Sequence, residues 1–127
     1  MAKQGEIWTA PFPYYDDREK LQVKRRPVII VSKNEINDKN FDIIICQISR
    51  HEQNRILKLP QELKNKVLII TSSNLLPGVG KGLRNISIIK PFKLFTIPKD
   101  ILLSGEPIGK LNQQTLQNLL NKIHDLF

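Results

Sequence analysis

Apolar positions recur along this chain in short bursts, and the bursts follow two different periods. "GEIWTAPF", Gly5 to Phe12, alternates well enough to predict a first strand, ended by the prolines of "APFPYY". "RPVIIVS" opens with a proline and runs through four consecutive β-branched residues, the composition of a central strand. "DIIICQIS", Asp42 to Ser49, predicts a second strand of the same buried kind. "ILKLP" reads as a short edge strand closed by Pro60, and "KVLIITS" as another strand. "ISIIKPFKLFTI" reads as two strands on either side of a proline-marked break. Between these runs, "DDREKLQ" and "RHEQNR" are polar loops and "KNEINDKNF" is a turn. "NLLPGVGKGLRN" holds three of the six glycines and is the least ordered stretch by composition. After Asn112, an N-cap candidate, the period changes. Leu116, Leu119, Leu120, Ile123 and Phe127 fall at helical spacing and predict one amphipathic helix.

Five or six short strands without intervening helices predict a mainly β chain with a C-terminal helix, built as a small antiparallel barrel. The helix covers one barrel mouth or packs against a second subunit. No repeat or composition shift divides residues 1–127, so the expectation is a single domain.

Charge changes this picture more than any other feature of composition. Twenty Lys and Arg against twelve Asp and Glu give a net charge of +8. A pI near 9.8 makes a polyanion the first partner to consider. The plainer reading is a lysine-rich surface that keeps a small protein soluble. A single cysteine, Cys46, forms no intrachain disulfide, and within "DIIICQI" it reads as a buried, inert thiol. No signal-peptide run and no stretch of about 18 uncharged apolar residues occurs, so the expected location is the cytoplasm, with no membrane contact. His51, His124 and Cys46 lack ligand spacing, and no metal or other cofactor is expected. "GVGKG" lacks the spacing and the following Ser or Thr of a phosphate loop.

The basic run Lys24–Arg25–Arg26 stands directly before Pro27 and the central strand. A following proline biases Arg26 to extended backbone, so its side chain leaves the sheet in a defined direction. A guanidinium grips phosphate with two hydrogen bonds and keeps its charge at every physiological pH. If the second and third predicted strands pair antiparallel, Arg26 and Ser49 meet at one rim of the barrel. Exposed Arg and Ser are also ordinary at strand ends.

In order along the chain, "GEIW", "KRRPVIIVS", the strand ending "QIS", and "IKPFKLFTI" before a terminal helix resemble the MazF/PemK-type toxins of bacterial toxin–antitoxin pairs. "NLLPGVGKG" fits the pattern least. The resemblance implies an SH3-like barrel that forms homodimers and cleaves single-stranded RNA without a metal, leaving 2′,3′-cyclic phosphate and 5′-hydroxyl ends. It implies an acidic antitoxin as partner, with DNA contacted only through that antitoxin. The family's catalytic arginine falls on Arg26, and its catalytic Thr or Ser on Ser49. Some relatives place an acid in the strand before the "T-I" element; here Phe92 stands there. His51 is then a candidate proton acceptor by its ordinary pKa, or a plain loop histidine. Lys24, Arg25, Arg50, Lys90, Lys93 and Thr96 are candidate RNA contacts, or solvated surface residues. Tyr14 and Tyr15 are candidate stacking platforms for splayed bases, whereas Trp8 and Phe12 read as core. A non-catalytic RNA- or partner-binding barrel that has lost its base is the alternative, and a protein-interaction module facing an acidic partner is a third reading.

Overall fold

A computed structural model describes residues 2–50, 59–102 and 105–127, and of residues 13–15 the backbone alone. The opening alternation folds as β1 (Glu6–Tyr15), paired antiparallel with β2 (Leu21–Ile30) in a register setting Ile7 against Ile29 and Tyr15 against Leu21. β1 therefore runs past the prolines expected to end it. The carbonyl of Ile7 accepts from the Ile108 amide, on the side of β1 away from β2. Pro11 and Pro13 share that parity, so their missing N–H groups face outward and cost the β1–β2 ladder nothing. The turn is also tighter than "DDREKLQ" implied. Asp16 Oδ1 accepts the amides of Arg18 and Lys20, both at 2.9 Å, and Oδ2 accepts Gln22 Nε2 at 3.1 Å. These bonds, that from Lys20 foremost, hold the Asp16 carboxyl below its ordinary value.

β3 (Asp42–Arg50), β4 (Leu68–Ile70), β5 (Ser87–Pro98) and β6 (Gly109–Lys110) complete one antiparallel sheet of order β4-β5-β3-β2-β1-β6. The segment after β4 reaches across to the far edge. Leu75 bridges Leu111, and the Leu76 amide donates to the Lys110 carbonyl at 2.8 Å. The sheet thereby curls toward the small barrel its strand spacing predicts. "ISIIKPFKLFTI" is a single strand with a bulge at its proline rather than two strands.

Two short helices lie where turns or loops were expected. α1 (Asn34–Lys39) replaces the turn read in "KNEINDKNF", and its Asn37 serves a buried network. Ser32 Oγ donates to Asn37 Oδ1, and Asn37 Nδ2 donates to the Ser32 carbonyl at 2.9 Å. Lys99 Nζ donates to the Asn37 carbonyl at 2.6 Å. α2 (Gln61–Lys64) follows Pro60. The loop "RHEQNR" and the edge strand "ILKLP" fall mostly on residues 51–58, outside the described residues. α3 (Gln113–Leu126) begins where the period changes, capped by Asn112 Oδ1 accepting the Thr115 amide at 2.8 Å, a contact worth about 1 kcal/mol.

The core has one layer on each sheet face. Ile7, Ile29, Cys46, Ile48, Ile70 and Ile89 pack under Leu116, Leu119, Leu120 and Ile123 of α3. Trp8, Ala10, Phe12, Val28, Ile30, Ile43 and Ile45 form the second layer, against Ile97 and Leu102. The α3 stripe is thus an intrachain contact for four of its five predicted members; Phe127 is exposed. Cys46 is fully buried, its Sγ donating to the Lys90 carbonyl at 2.8 Å, and burial pushes the thiol up to about 12. At pH 8 roughly one thiol in 10⁴ is then ionised. A disulfide reagent such as DTNB is expected to leave the native protein unlabelled for hours at pH 8, and to react within seconds once guanidinium unfolds it.

Candidate functional site

The site begins where a hydrogen-bond ladder stops. β2 pairs with β3 only through Val28–Gln47, Ile29–Cys46 and Ile30–Ile45. The Val31 amide donates to the Ile44 carbonyl, whereas the Ile30 carbonyl accepts from Gly5 on the β1 side. Odd-numbered residues of β2 therefore direct their backbone polar groups at β3, and Pro27 has no N–H to direct. The ladder ends at its neighbour Val28, and the strands part. The register carried two residues further would set Arg26 opposite Ser49, on one face of the sheet.

A cleft of about 320 Å³ occupies the parting. Lys24, Arg25, Arg26 and Pro27 form one wall, Ile48, Ser49 and Arg50 the second, and Leu83, Arg84, Asn85 and Ser87 the third. Arg26 and Ser49 thus line the same cleft, with Arg26 half-buried and Lys24, Arg25, Arg50 and Arg84 exposed. Among the described residues eleven line it, five of them cations and none acidic, which suits a phosphate.

Arg84 was absent from the residues singled out by sequence, because its segment reads as unstructured. Glycine explains the placement. Gly80 sits at φ +64°, and a Cβ there would stand 2.5 Å from the carbonyl carbon and oxygen of Ile108. That contact, with the Gly82 amide donating to the Ile108 carbonyl at 2.6 Å, seats "GVGKG" against the chain entering β6. The loop's exit then delivers Leu83–Asn85 to the cleft. The only sequence signal was glycine density, which marks a turn or a close backbone approach without saying which.

Arg26 also lines a second cavity, of about 470 Å³, with Pro11, Phe12, Gln47, Lys93, Phe95, Thr96, Ile97 and Ile101. A bulge shapes this wall. β5 pairs Leu94 with Cys46 and Ile89 with Ile48, so Lys90–Lys93, with Pro91 among them, pass the single residue Gln47. Lys93 and Thr96 therefore lie in the second cavity, not the first. Lys90 and Phe92 line neither, and the Lys90 carbonyl serves Cys46. Among the described residues, none that lines either cavity is acidic. Tyr14 and Tyr15 lie at the far end of the hairpin by backbone, opposite Gln22 and Leu21; their side chains and His51 are outside the described residues. Among the described residues no three His, Cys, Asp or Glu side chains gather as a metal site, and no helix is long and apolar enough to cross a membrane.

A basic cleft at the rim of a small antiparallel barrel, closed on one side by a C-terminal helix, defines the class of protein in which to look for relatives. The family model described as "PemK-like, MazF-like toxin of type II toxin-antitoxin system" matches residues 3–127, and the chain belongs to that family. Solved structures of the same fold include an endoribonuclease in complex with its cognate antitoxin from a mycobacterial species. That structure is 15% identical, with all of this chain and 98% of that one covered, at a TM-score of 0.64. The Mycobacterium tuberculosis toxin MazF-mt6 is 19% identical over 94% of this chain and 93% of that one, at 0.62. A MazE–MazF structure from Deinococcus radiodurans is 14% identical over 98% and 93%, also at 0.62. No curated protein matches the chain by sequence.

Proposed function

We propose that this toxin is a metal-independent endoribonuclease that cuts single-stranded RNA in the cleft between β2 and β3. One observation carries the reading: Arg26 and Ser49 line one cleft whose described lining holds five cations and no carboxylate. The endoribonuclease with its cognate antitoxin, to which the fold is similar, supports it. In the proposed reaction the ribose 2′-oxygen attacks the adjacent phosphorus. A new 2′-O–P bond forms, the P–O5′ bond breaks, and the products are a 2′,3′-cyclic phosphate and a 5′-hydroxyl. The 2′-hydroxyl gives up its proton as the bond forms, and the departing 5′-oxygen takes one up.

Negative charge gathers on the non-bridging oxygens during the attack. Arg26 stays protonated, so it serves as the fixed cation beside those oxygens and not as the base. Ser49 donates its hydroxyl to the same charge and need not be a nucleophile, because the substrate brings its own. Lys24, Arg25, Arg50 and Arg84 hold flanking phosphates. With no carboxylate among the described residues that line either cavity, His51, two residues beyond Ser49 in the chain, is the candidate proton acceptor. The partner expected from the family is an acidic antitoxin covering this cleft, and dimerisation and a cytoplasmic location accompany that reading.

The test is the chemistry of the ends. Incubated with single-stranded RNA in excess chelator, the protein is expected to release fragments whose 5′ ends accept phosphate from a kinase directly. Their 3′ ends should resist ligation until the cyclic phosphate is opened and the resulting monophosphate removed. Ends bearing 5′-phosphate, or cleavage abolished by chelator, would overturn the mechanism.

A further inference from the structure

The second cavity adjoins the first through a single side chain, Arg26, which lines both. A nucleotide whose phosphate is held at Arg26 and Ser49 therefore has this cavity within reach of one of its flanking bases, and the chemistry of the walls is uneven. Phe95 is 40% exposed, and the buried Phe12 ring meets it edge-on, with centroids 5.1 Å apart and planes at 77°. Pinned by that contact, Phe95 offers an aromatic platform of the kind that receives unstacked bases. The polar groups around it are donor-rich: the Arg26 guanidinium and the Lys93 ammonium only donate, whereas the Gln47 amide and Thr96 hydroxyl can do either.

From this imbalance we infer that the second cavity is a nucleobase pocket selecting a carbonyl-edged base, uracil or guanine, next to the cleaved phosphate. The inference rests on the nuclease reading above and specifies its substrate. Uracil presents two carbonyl oxygens, and guanine presents O6 and N7; both suit Arg26 and Lys93. The ring N–H of either base then has the Gln47 amide oxygen as its acceptor. Adenine and cytosine instead carry an exocyclic amine at that edge, a donor set against the donors of Arg26 and Lys93. A site built on such hydrogen bonds discriminates far more strongly than an apolar pocket of the same size.

Two assays of the full chain separate this inference from the nuclease reading. In the first, RNA carrying a randomised stretch is cleaved and the new 5′ ends are sequenced. Uracil or guanine should exceed adenine plus cytosine by about tenfold or more at one position flanking the cut. Gln47→Ala and Lys93→Ala should flatten that ratio, and Gln47→Glu, which leaves only acceptors at this position, should move it toward adenine or cytosine. In the second, short RNAs with a 2′-deoxy sugar at the central nucleotide, and so uncuttable by 2′-attack, are titrated by fluorescence anisotropy while one base is varied. Cleavage with no flanking preference, or a preference unmoved by all three substitutions, overturns the pocket and leaves the nuclease standing. Binding that keeps a Gln47-dependent preference for uracil or guanine without any cleavage overturns the nuclease and leaves the pocket. An adenine or cytosine preference in the unsubstituted protein overturns the assignment of the base.

Discussion

Arg26→Ala is expected to lower the single-turnover rate of RNA cleavage by about 10²–10³-fold, the loss usual when one fixed donor to a developing oxyanion is removed. Binding should fall far less, since Lys24, Arg25, Arg50 and Arg84 remain in the cleft. Arg26→Lys is the informative companion. It keeps a positive charge but loses the planar fork that holds two oxygens at once, so it should restore only part of the rate. Arg26 sits at the rim, outside both core layers, so the melting temperature should move by only a few degrees in either variant. Single-turnover kinetics on a short single-stranded RNA, with anisotropy for binding, measure both quantities. A rate unchanged by Arg26→Ala would remove the cleft from the chemistry.

Gly80→Ala is expected to be the costliest single-methyl change for stability outside the core. The left-handed backbone disfavours any side chain by about 1–2 kcal/mol, and the contact with the Ile108 carbonyl adds a similar strain because backbone cannot swing aside. A loss of about 2–4 kcal/mol lowers the melting temperature by roughly 8–15 °C in a chain of this size. Gly78→Ala makes the control. Its φ is +79°, but its added Cβ would meet nothing within 4 Å, so only the backbone cost applies. Differential scanning calorimetry of the two variants should separate them clearly; equal losses would mean that close approach to Ile108 contributes nothing. Because the same loop carries Arg84, Gly80→Ala should also weaken RNA binding, which Gly78→Ala should do less.

These two positions mark the limits of reading the chain by itself. Arg26 was legible because its neighbours constrain it locally. A proline fixes its backbone, a β-branched run fixes the strand, and antiparallel pairing brings the start of β2 near the end of β3. The C-terminal helix was legible for the same reason, its cap and stripe both lying within residues 112–127. Gly80 and Arg84 were not, since what they do depends on Ile108, distant in sequence. The bulge at Lys90–Lys93 is similar: "KPFK" announces a break, but only the register against Gln47 shows that the strand resumes on the same neighbour. α1 was missed because Asn37, a residue that favours turns in isolation, instead bonds its side chain to Ser32, while its backbone carbonyl accepts from Lys99.

The parting of β2 from β3 begins beside the one backbone nitrogen there that carries no hydrogen, that of Pro27. An N–H at position 27 would face the Ile48 carbonyl, and the two strands would be free to zip shut by one more rung. Shape and charge are therefore separable in this mouth. A change at Pro27 alters the width of the opening while every lysine and arginine around it stays in place.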